Sequence, residues 1–245
     1  MAKYYDRCWN PVYGCDGAFA GCDKCYAKSL SERRGRVLSE GMSVNRKQMM
    51  KRFDATPQLM AVCTQSDLFQ GACGANTAVV DRVLSKCNVN RQHRYLFLTK
   101  FSGNMREYFG DGGLVRRLNG MHLERFSFDR MAFGVSVCCR DDMHRLDDLR
   151  GCCHVEHRFV AFEPLLEEID VTADDLEGME WVIIGAETGD EPRKCEQSWM
   201  KRIVSVADSL SLPVFVNAVH ANGKVTTEFC EMDEALRRND IPFSV

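Results

Sequence analysis

Three cysteines crowd into one short loop near the start of the chain. They are Cys15, Cys22 and Cys25, within CDGAFAGCDKCYAK (15–28), and their spacing is Cys-x6-Cys-x2-Cys. The Cys-x2-Cys half is a good metal clamp, because two intervening residues let both sulfurs reach one centre. Thiolates are soft ligands that select zinc or iron–sulfur clusters. We therefore interpret this loop as a metal site.

The number of ligands bears on which kind of metal site this is. A closed structural zinc site needs four protein ligands, and the loop holds three, although Cys8 is nearby. Three thiolates on a [4Fe-4S] cluster leave one iron free, which S-adenosylmethionine (SAM) can chelate. One electron from the cluster then cleaves a carbon–sulfur bond of SAM and yields a 5′-deoxyadenosyl radical, while the protein supplies position and shielding. A zinc site and unliganded thiols stay open as alternatives.

Short apolar runs indicate the strands that would position such a loop. Each is apolar on successive positions, as in parallel strands buried on both faces. The runs are 59–64, 94–99, 131–137, 158–162, 181–185 and 212–217, with helical periodicity over 76–88 and 198–210. With a short strand before the cysteine loop, this βα alternation predicts an α/β fold, a complete or partial TIM-like barrel of parallel strands. An open doubly wound sheet is the alternative.

The length and the apolar pattern bound the organisation of the chain. A chain of 245 residues is typical of one barrel domain, so we expect a single domain over 1–245. Five glycines predict a loop-rich insertion with one or two short helices over 101–130. The N-terminus lacks the pattern of a signal peptide and no apolar run is long enough to span a bilayer. We expect a cytoplasmic protein without a membrane partner.

Polar side chains stand at or just after the ends of the predicted strands. Strand carboxyl ends form the active face of parallel α/β folds, so these side chains are candidates for holding SAM or substrate. They are Ser66, Asp67, Thr99, Lys100, Ser136, Glu163 and Glu187. Glu163 is the strongest candidate, because Pro164 stiffens the turn that follows it.

Charge is distributed unevenly along the chain. Residues 28–52 hold eight basic side chains and two acidic ones, whereas 159–192 hold eleven acidic side chains and no Lys or Arg. A basic N-terminal third is consistent with an anionic partner, and a solvated helix face is the plainer interpretation. The whole chain carries a formal charge of −3.

Seven motifs in order resemble those of one family. They are WNPVYGC (9–15), GCDKCYAK (21–28), SDLF (66–69), FLTK (97–100), GVSV (134–137), FEPLL (162–166) and WVIIGAETG (181–189). Together they resemble an uncharacterised radical-SAM-like three-cysteine family that is common in phages and is distantly similar to spore photoproduct lyase. The resemblance runs from about residue 8 to about residue 217.

This resemblance implies a partial TIM barrel, a [4Fe-4S] cluster on Cys15, Cys22 and Cys25, and SAM at the strand ends. It implies no substrate. The chain departs from the family pattern in having Asn217 and Ala218 near the last strand, where family members usually have Lys and Gln, and in having Cys8 where Thr is usual. Tyr26 follows the third cysteine and is a candidate for stacking on adenine.

The sequence therefore predicts a radical SAM enzyme that needs a one-electron reductant and acts on an unknown substrate. The basic stretch and the resemblance to phage proteins make a nucleic acid or nucleotide substrate a hypothesis. Adjacent cysteines cannot easily face one centre, so a second metal site is the lesser interpretation of the pairs Cys138, Cys139 and Cys152, Cys153. The rival hypothesis is a zinc-stabilised or cluster-free barrel that binds a nucleotide or a partner without catalysis.

Overall fold

The computed structural model describes residues 3–17, 19–33, 41–71, 77–121 and 126–243. Its main element is an eight-stranded sheet curled into a half-barrel with flanking helices. The strands of this sheet, in spatial order, are β1 (Arg7–Trp9), β4 (Leu59–Val62), β5 (Arg94–Thr99), β6 (Met131–Ser136), β7 (His157–Phe162), β8 (Trp181–Gly185), β9 (Val214–Ala221) and β10 (Lys224–Thr226). A separate two-stranded ribbon joins β2 (Val12–Tyr13) to β3 (Ser43–Val44).

The seven strands from β1 to β9 in the large sheet pair in parallel, and β10 pairs antiparallel to β9. The predicted partial barrel is therefore confirmed, and the open doubly wound sheet is not found. Strand β10 adds one antiparallel strand at the edge of this mostly parallel sheet. It forms because Asn222 and Gly223 both adopt positive φ and turn the chain straight back onto β9.

Helices follow the strands as the βα alternation predicts. They are α1 (Tyr26–Arg33), α2 (Arg46–Met50), α3 (Thr77–Asn88), α4 (Ser102–Gly110), α5 (Leu114–Asn119), α6 (His144–Arg150) and α7 (Gln197–Ser209). The segment 101–130 holds two of these, α4 and α5, and part of it lies outside the described residues. No helix in the described ranges combines the length and apolarity needed to cross a bilayer.

Two apolar clusters lie on opposite faces of the sheet. The larger cluster packs sheet residues such as Phe133 and Val182 against helical residues such as Val83 and Ile203. The smaller cluster fills the inner face of the half-barrel with alternate strand residues, among them Phe159 and Trp181. Because side chains alternate across a strand, the separation of the two clusters shows which residues at the carboxyl ends of the strands face inward.

Candidate functional site

The inner face of the half-barrel changes from apolar to polar at the carboxyl ends of its strands. Leu96, Ala132 and Phe159 belong to the inner cluster, and residues four positions further on keep the same alternation. Those residues are Lys100, Ser136 and Glu163. Side-chain alternation thus places three predicted site residues around the upper mouth of the half-barrel.

The cysteine loop lies directly against this mouth. Its short 3₁₀ turn, Ala20–Cys22, holds the buried Gly21. A Cβ atom on Gly21 would lie 2.5 Å from Cys138 Sγ and 3.1 Å from Lys100 Cε, so glycine is needed for this close approach. Cys25 immediately precedes α1, and its carbonyl oxygen accepts a hydrogen bond from the Ser29 amide.

Lys100 places a positive charge beside the cysteines. Its ammonium group has no hydrogen-bond or ion-pair partner within the described part of the chain. Burial alone would lower the pKa of Lys100, but the negative charges of Cys138, Cys22, Asp67 and Cys25 outweigh burial, and its pKa is raised. An ammonium group without a partner in a cluster of sulfurs can stabilise negative charge on them or on an anionic group of a ligand.

A single metal ion and an iron–sulfur cluster require different spacings between the sulfurs of Cys15, Cys22 and Cys25. Zn–S bonds of about 2.3 Å bring the sulfurs of one ion to within about 3.8 Å of each other. Within the described ranges, no group of three His, Cys, Asp or Glu side chains is placed to hold one ion. A four-iron cluster holds its thiolates farther apart, because each sulfur binds a different iron.

The three thiols nevertheless share one neighbourhood. Burial raises the pKa of Cys15 to about 11, and negative charge on Asp67, Cys22 and Cys25 adds to that rise. Gly17 also packs against Cys22, since a Cβ there would lie 3.9 Å from Cys22 Cβ. The donor set and its neighbouring cation therefore fit an iron–sulfur cluster with three cysteine ligands.

Asp67 holds the ends of two strands together. Its Oδ1 atom accepts hydrogen bonds from Thr99 Oγ1 at 2.6 Å and from the Phe69 amide at 3.0 Å. Its Oδ2 atom accepts one from the Lys100 amide at 2.8 Å. Burial raises the pKa of Asp67, although these three hydrogen bonds act in the opposite direction. Asp67 and Thr99 thus position Lys100, and their polar atoms are engaged by the protein.

Glu163 is the carboxylate that faces the mouth most directly. Asn217 Nδ2 donates a hydrogen bond to one of its oxygens, Oε1. Gly185 makes room for the carboxylate, because a Cβ there would lie 2.8 Å from that oxygen. Burial raises the pKa of Glu163, while Asn217 and Lys100 oppose that rise. A carboxylate held by one amide beside a neighbouring cation is able to bind an amine or a hydroxyl group.

Glu187 and Arg193 join two loops through hydrogen bonds, and we call this pair the latch. Glu187 accepts hydrogen bonds from the Arg193 amide and from Arg193 Nε, both at 2.9 Å. Arg193 also donates to the Ala20 carbonyl oxygen at 3.0 Å and to Asp23 Oδ2 at 3.3 Å. Burial would raise the pKa of Glu187, but Arg193 outweighs it and the pKa is lowered. The latch ties the cysteine loop to the segment after β8.

The remaining predicted site residues differ in their availability. Ser66 donates to the Val12 carbonyl oxygen at 3.1 Å, and the Tyr26 hydroxyl donates to the Thr64 carbonyl oxygen. The Tyr26 side chain is still 48% exposed. Ser136 is buried, and its hydroxyl has no hydrogen-bond partner in the part of the chain that is described.

Four residues that build this site were not assigned to it from the sequence, although Cys138 and Asn217 were named there for other reasons. Gln70 clamps the cysteine loop, since its Oε1 accepts from the Asp16 amide at 2.9 Å and its Nε2 donates to the Gly14 carbonyl oxygen at 2.7 Å. The other three are Cys138, Arg193 and Asn217. Side-chain alternation along β6, extended by two residues, would have placed Cys138 on the inner face. Gln70 and Asn217 have partners more than 50 residues away in the sequence, and Arg193 reaches Glu187 only through the turn between them, so none of these three contacts could be inferred.

The paired cysteines at the two ends of α6 differ in their surroundings. Cys138 and Cys152 are buried, whereas Cys153 is exposed. Cys152 Sγ contacts the Asp148 carbonyl oxygen, and Cys138 lies beside Lys100 and Gly21. No metal-ligating group that includes these cysteines is found among the described residues.

A cavity of about 1030 Å³ lies beside the segment that follows β8. It is bounded by the segment after β8 and by the β9–β10 hairpin, with Thr188, Cys195 and His220 among its lining residues. None of the strand-end residues that are candidates for holding SAM lines this cavity.

Comparisons with known proteins identify the family. The family model described as protein of unknown function, DUF5131, matches residues 1–231. The chain belongs to the DUF5131 family. No curated protein matches it significantly. The match supports the resemblance to an uncharacterised family, while the association with phages and the metal role of the three cysteines stay predictions.

The fold of this DUF5131 member is similar to that of a solved lyase. A tyrosine-to-phenylalanine mutant of spore photoproduct lyase superposes with a TM-score of 0.51 at 12% sequence identity. The similarity covers 85% of this chain and 75% of the lyase chain. At this identity the match establishes a shared half-barrel fold.

Proposed function

We propose that this DUF5131 chain is a radical SAM enzyme. The observation that carries the proposal is the packing of the three-cysteine loop onto the polar inner mouth of a half-barrel, through Gly21 against Cys138 and Lys100. The similarity in fold to spore photoproduct lyase supports the same class of enzyme.

Cys15, Cys22 and Cys25 would hold the cluster. When bound and reduced by a one-electron reductant, a [4Fe-4S] cluster with one iron free would supply the electron that cleaves SAM reductively. The chain itself supplies the thiolates, the neighbouring ammonium of Lys100 and the latch at Arg193 that fixes the loop.

The proposed SAM contacts fall into two groups. Lys100, Ser136 and Glu163 have polar atoms that the described residues leave available, so we propose that they contact SAM or substrate directly. Tyr26 offers an exposed ring for adenine, with its hydroxyl fixed by Thr64. A second group has its polar atoms engaged within the protein, and we propose that it holds the strand ends in place. This group consists of Ser66, Asp67, Thr99 and Glu187.

The substrate that we propose is a nucleic acid or a nucleotide. Five exposed basic side chains on and beside α1 and α2, among the described residues of 28–52, support this choice because they follow the cysteine loop directly in the chain.

Reductive cleavage of SAM tests the proposal. Protein purified and reconstituted without oxygen is incubated with dithionite and SAM, and 5′-deoxyadenosine is measured by chromatography. We expect product from the wild-type protein and from the matched control Cys230→Ala, whose thiol is exposed and outside the site. We expect no product from Cys25→Ala. Equal product from Cys25→Ala and wild type would contradict the proposal, and colourless protein with one zinc per chain would favour the rival hypothesis.

A further inference from the structure

Positive charge without ion-pair partners is concentrated around the cysteine loop. Five basic side chains of the described part of 28–52 are exposed and the sixth, Lys51, is half-buried, and none of the six forms an ion pair with a described residue. We call these six the basic surface: Lys28, Arg33, Arg46, Lys47, Lys51 and Arg52. Elsewhere exposed basic residues are commonly paired, as Lys201 is with Asp233 and Lys224 with Glu231.

The elements that carry the basic surface meet at one junction. The Asn10 carbonyl oxygen accepts a hydrogen bond from Asn45 Nδ2 at 3.2 Å, and Asn45 caps α2. Asn10 Oδ1 accepts one from Thr64 Oγ1 at 3.3 Å. The Thr64 carbonyl oxygen in turn accepts the hydroxyl of Tyr26, the first residue of α1. Helices α1 and α2 therefore flank β1, the open edge strand of the half-barrel.

Exposed aromatic rings lie on α1 and on the ribbon that precedes α2. Tyr13 on β2 is 41% exposed and Tyr26 is 48% exposed. The pairing of Tyr13 with Ser43 fixes the backbone of Tyr13 next to β3, which directly precedes α2, whereas the Tyr26 hydroxyl donates to Thr64. The exposed Tyr13 ring offers a flat surface on which a base can stack.

We propose that the basic surface, together with Tyr13, binds single-stranded nucleic acid and delivers it to the mouth of the half-barrel. Cations track the phosphates, and aromatic rings stack on bases that are free of a duplex. This inference rests on the proposed function, because it names the substrate class of that enzyme.

Fluorescence anisotropy with labelled single-stranded oligonucleotides tests the inference on the full chain. The variant Lys28→Gln/Lys47→Gln removes two exposed cations, and Arg82→Gln/Arg116→Gln, two exposed and unpaired cations on α3 and α5, is the matched control. Each lost phosphate contact lowers the salt slope by about 0.7, so two contacts weaken binding by about 25-fold near 0.1 M salt. The control is expected to bind like the wild type.

A second pair of variants tests the stacking. Tyr13→Leu is expected to weaken binding at least about fivefold, the smaller end of one base–aromatic stack, whereas Tyr13→Phe is expected to bind like the wild type. A duplex of the same sequence, and poly-glutamate as an acidic polypeptide, are measured alongside. The inference would be overturned if the duplex or poly-glutamate bound more tightly than the single strand. It would also be overturned if Lys28→Gln/Lys47→Gln and Arg82→Gln/Arg116→Gln bound the single strand with equal affinity.

The outcome is separable from that of the proposed function. Binding is measured on Cys25→Ala protein as well as on the wild type, and SAM cleavage is measured without an oligonucleotide. Loss of cleavage with retained binding counts against the enzyme class alone. Retained cleavage without salt-sensitive binding of single strands counts against the inference alone.

Discussion

The contact between the cysteine loop and the mouth of the half-barrel is testable through Gly21. Gly21 is buried and its φ lies outside the left-handed region, so alanine suits its backbone. The added Cβ would, however, lie 2.5 Å from Cys138 Sγ, where non-bonded heavy atoms prefer about 3.5–4.0 Å. Gly21→Ala must therefore move the loop or Cys138 by about 1 Å.

Overpacking of this kind costs about 1–3 kcal/mol, and we expect Gly21→Ala to lower the free energy of unfolding by about 2 kcal/mol. Cys138→Ala removes the clashing sulfur and leaves a small cavity, at a cost of about 0.5–1.5 kcal/mol. If the clash is real, the double variant loses only about 1 kcal/mol, because its two changes compensate. The coupling free energy is then about 2 kcal/mol.

Urea unfolding of the four proteins, with linear extrapolation, measures this cycle. The proteins are compared with thiols reduced and without metal. The three cysteines are retained in every variant. Additive changes, to within about 0.5 kcal/mol, would show that Gly21 does not rest on Cys138 and would remove the contact on which the proposed site depends.

Three further predictions concern the carboxylates of the site. Burial raises the pKa of Glu163, so its protonation stabilises the fold below the unfolded pKa of about 4.3, and that contribution is lost as the pH rises through the folded value. Glu163→Gln should therefore be more resistant to urea than the wild type at pH 7 and equal to it near pH 3.5; equal resistance at both values would contradict this. Gly185→Ala would place a Cβ 2.8 Å from Glu163 Oε1, and we expect a cost of about 1–3 kcal/mol with weaker SAM binding by calorimetry; unchanged affinity would separate Glu163 from the SAM site. Arg193 lowers the pKa of Glu187 against the effect of burial, so this pair stabilises above the unfolded pKa and its contribution is lost as the pH falls through the folded value. With Arg193 31% exposed, Arg193→Gln should cost about 1–3 kcal/mol at pH 7 and less near pH 3, and a cost independent of pH would argue against the latch.

The strands that carry the site could be predicted because a short local run of apolar residues indicates each of them. The runs at 94–99 and 181–185 match β5 and β8 residue for residue. Both are apolar on successive positions and end at a polar residue or glycine. The ribbon of β2 and β3 was not predicted, because two-residue strands carry no periodicity and their partners are 32 residues apart at Val12 and Val44.

The site was predictable in position but only partly in role. Glu163 and Lys100 lie at the mouth because alternation along β5 and β7 is regular, and their roles toward SAM stay predictions. The pairing of Glu187 with Arg193 was not predicted. That pairing depends on how the chain turns after β8, which neither periodicity nor residue type specifies.

Electron paramagnetic resonance of the reduced protein tests whether Cys15, Cys22 and Cys25 hold a cluster with one open iron. We expect anaerobically reconstituted protein to carry about four irons per chain, to give the signal of a reduced [4Fe-4S] cluster, and to change that signal when SAM binds the open iron. Variants of Cys15, Cys22 or Cys25 should lose the signal, and Cys230→Ala should keep it. A full iron content with a signal that SAM leaves unchanged, or one that survives in Cys22→Ala, would contradict the account.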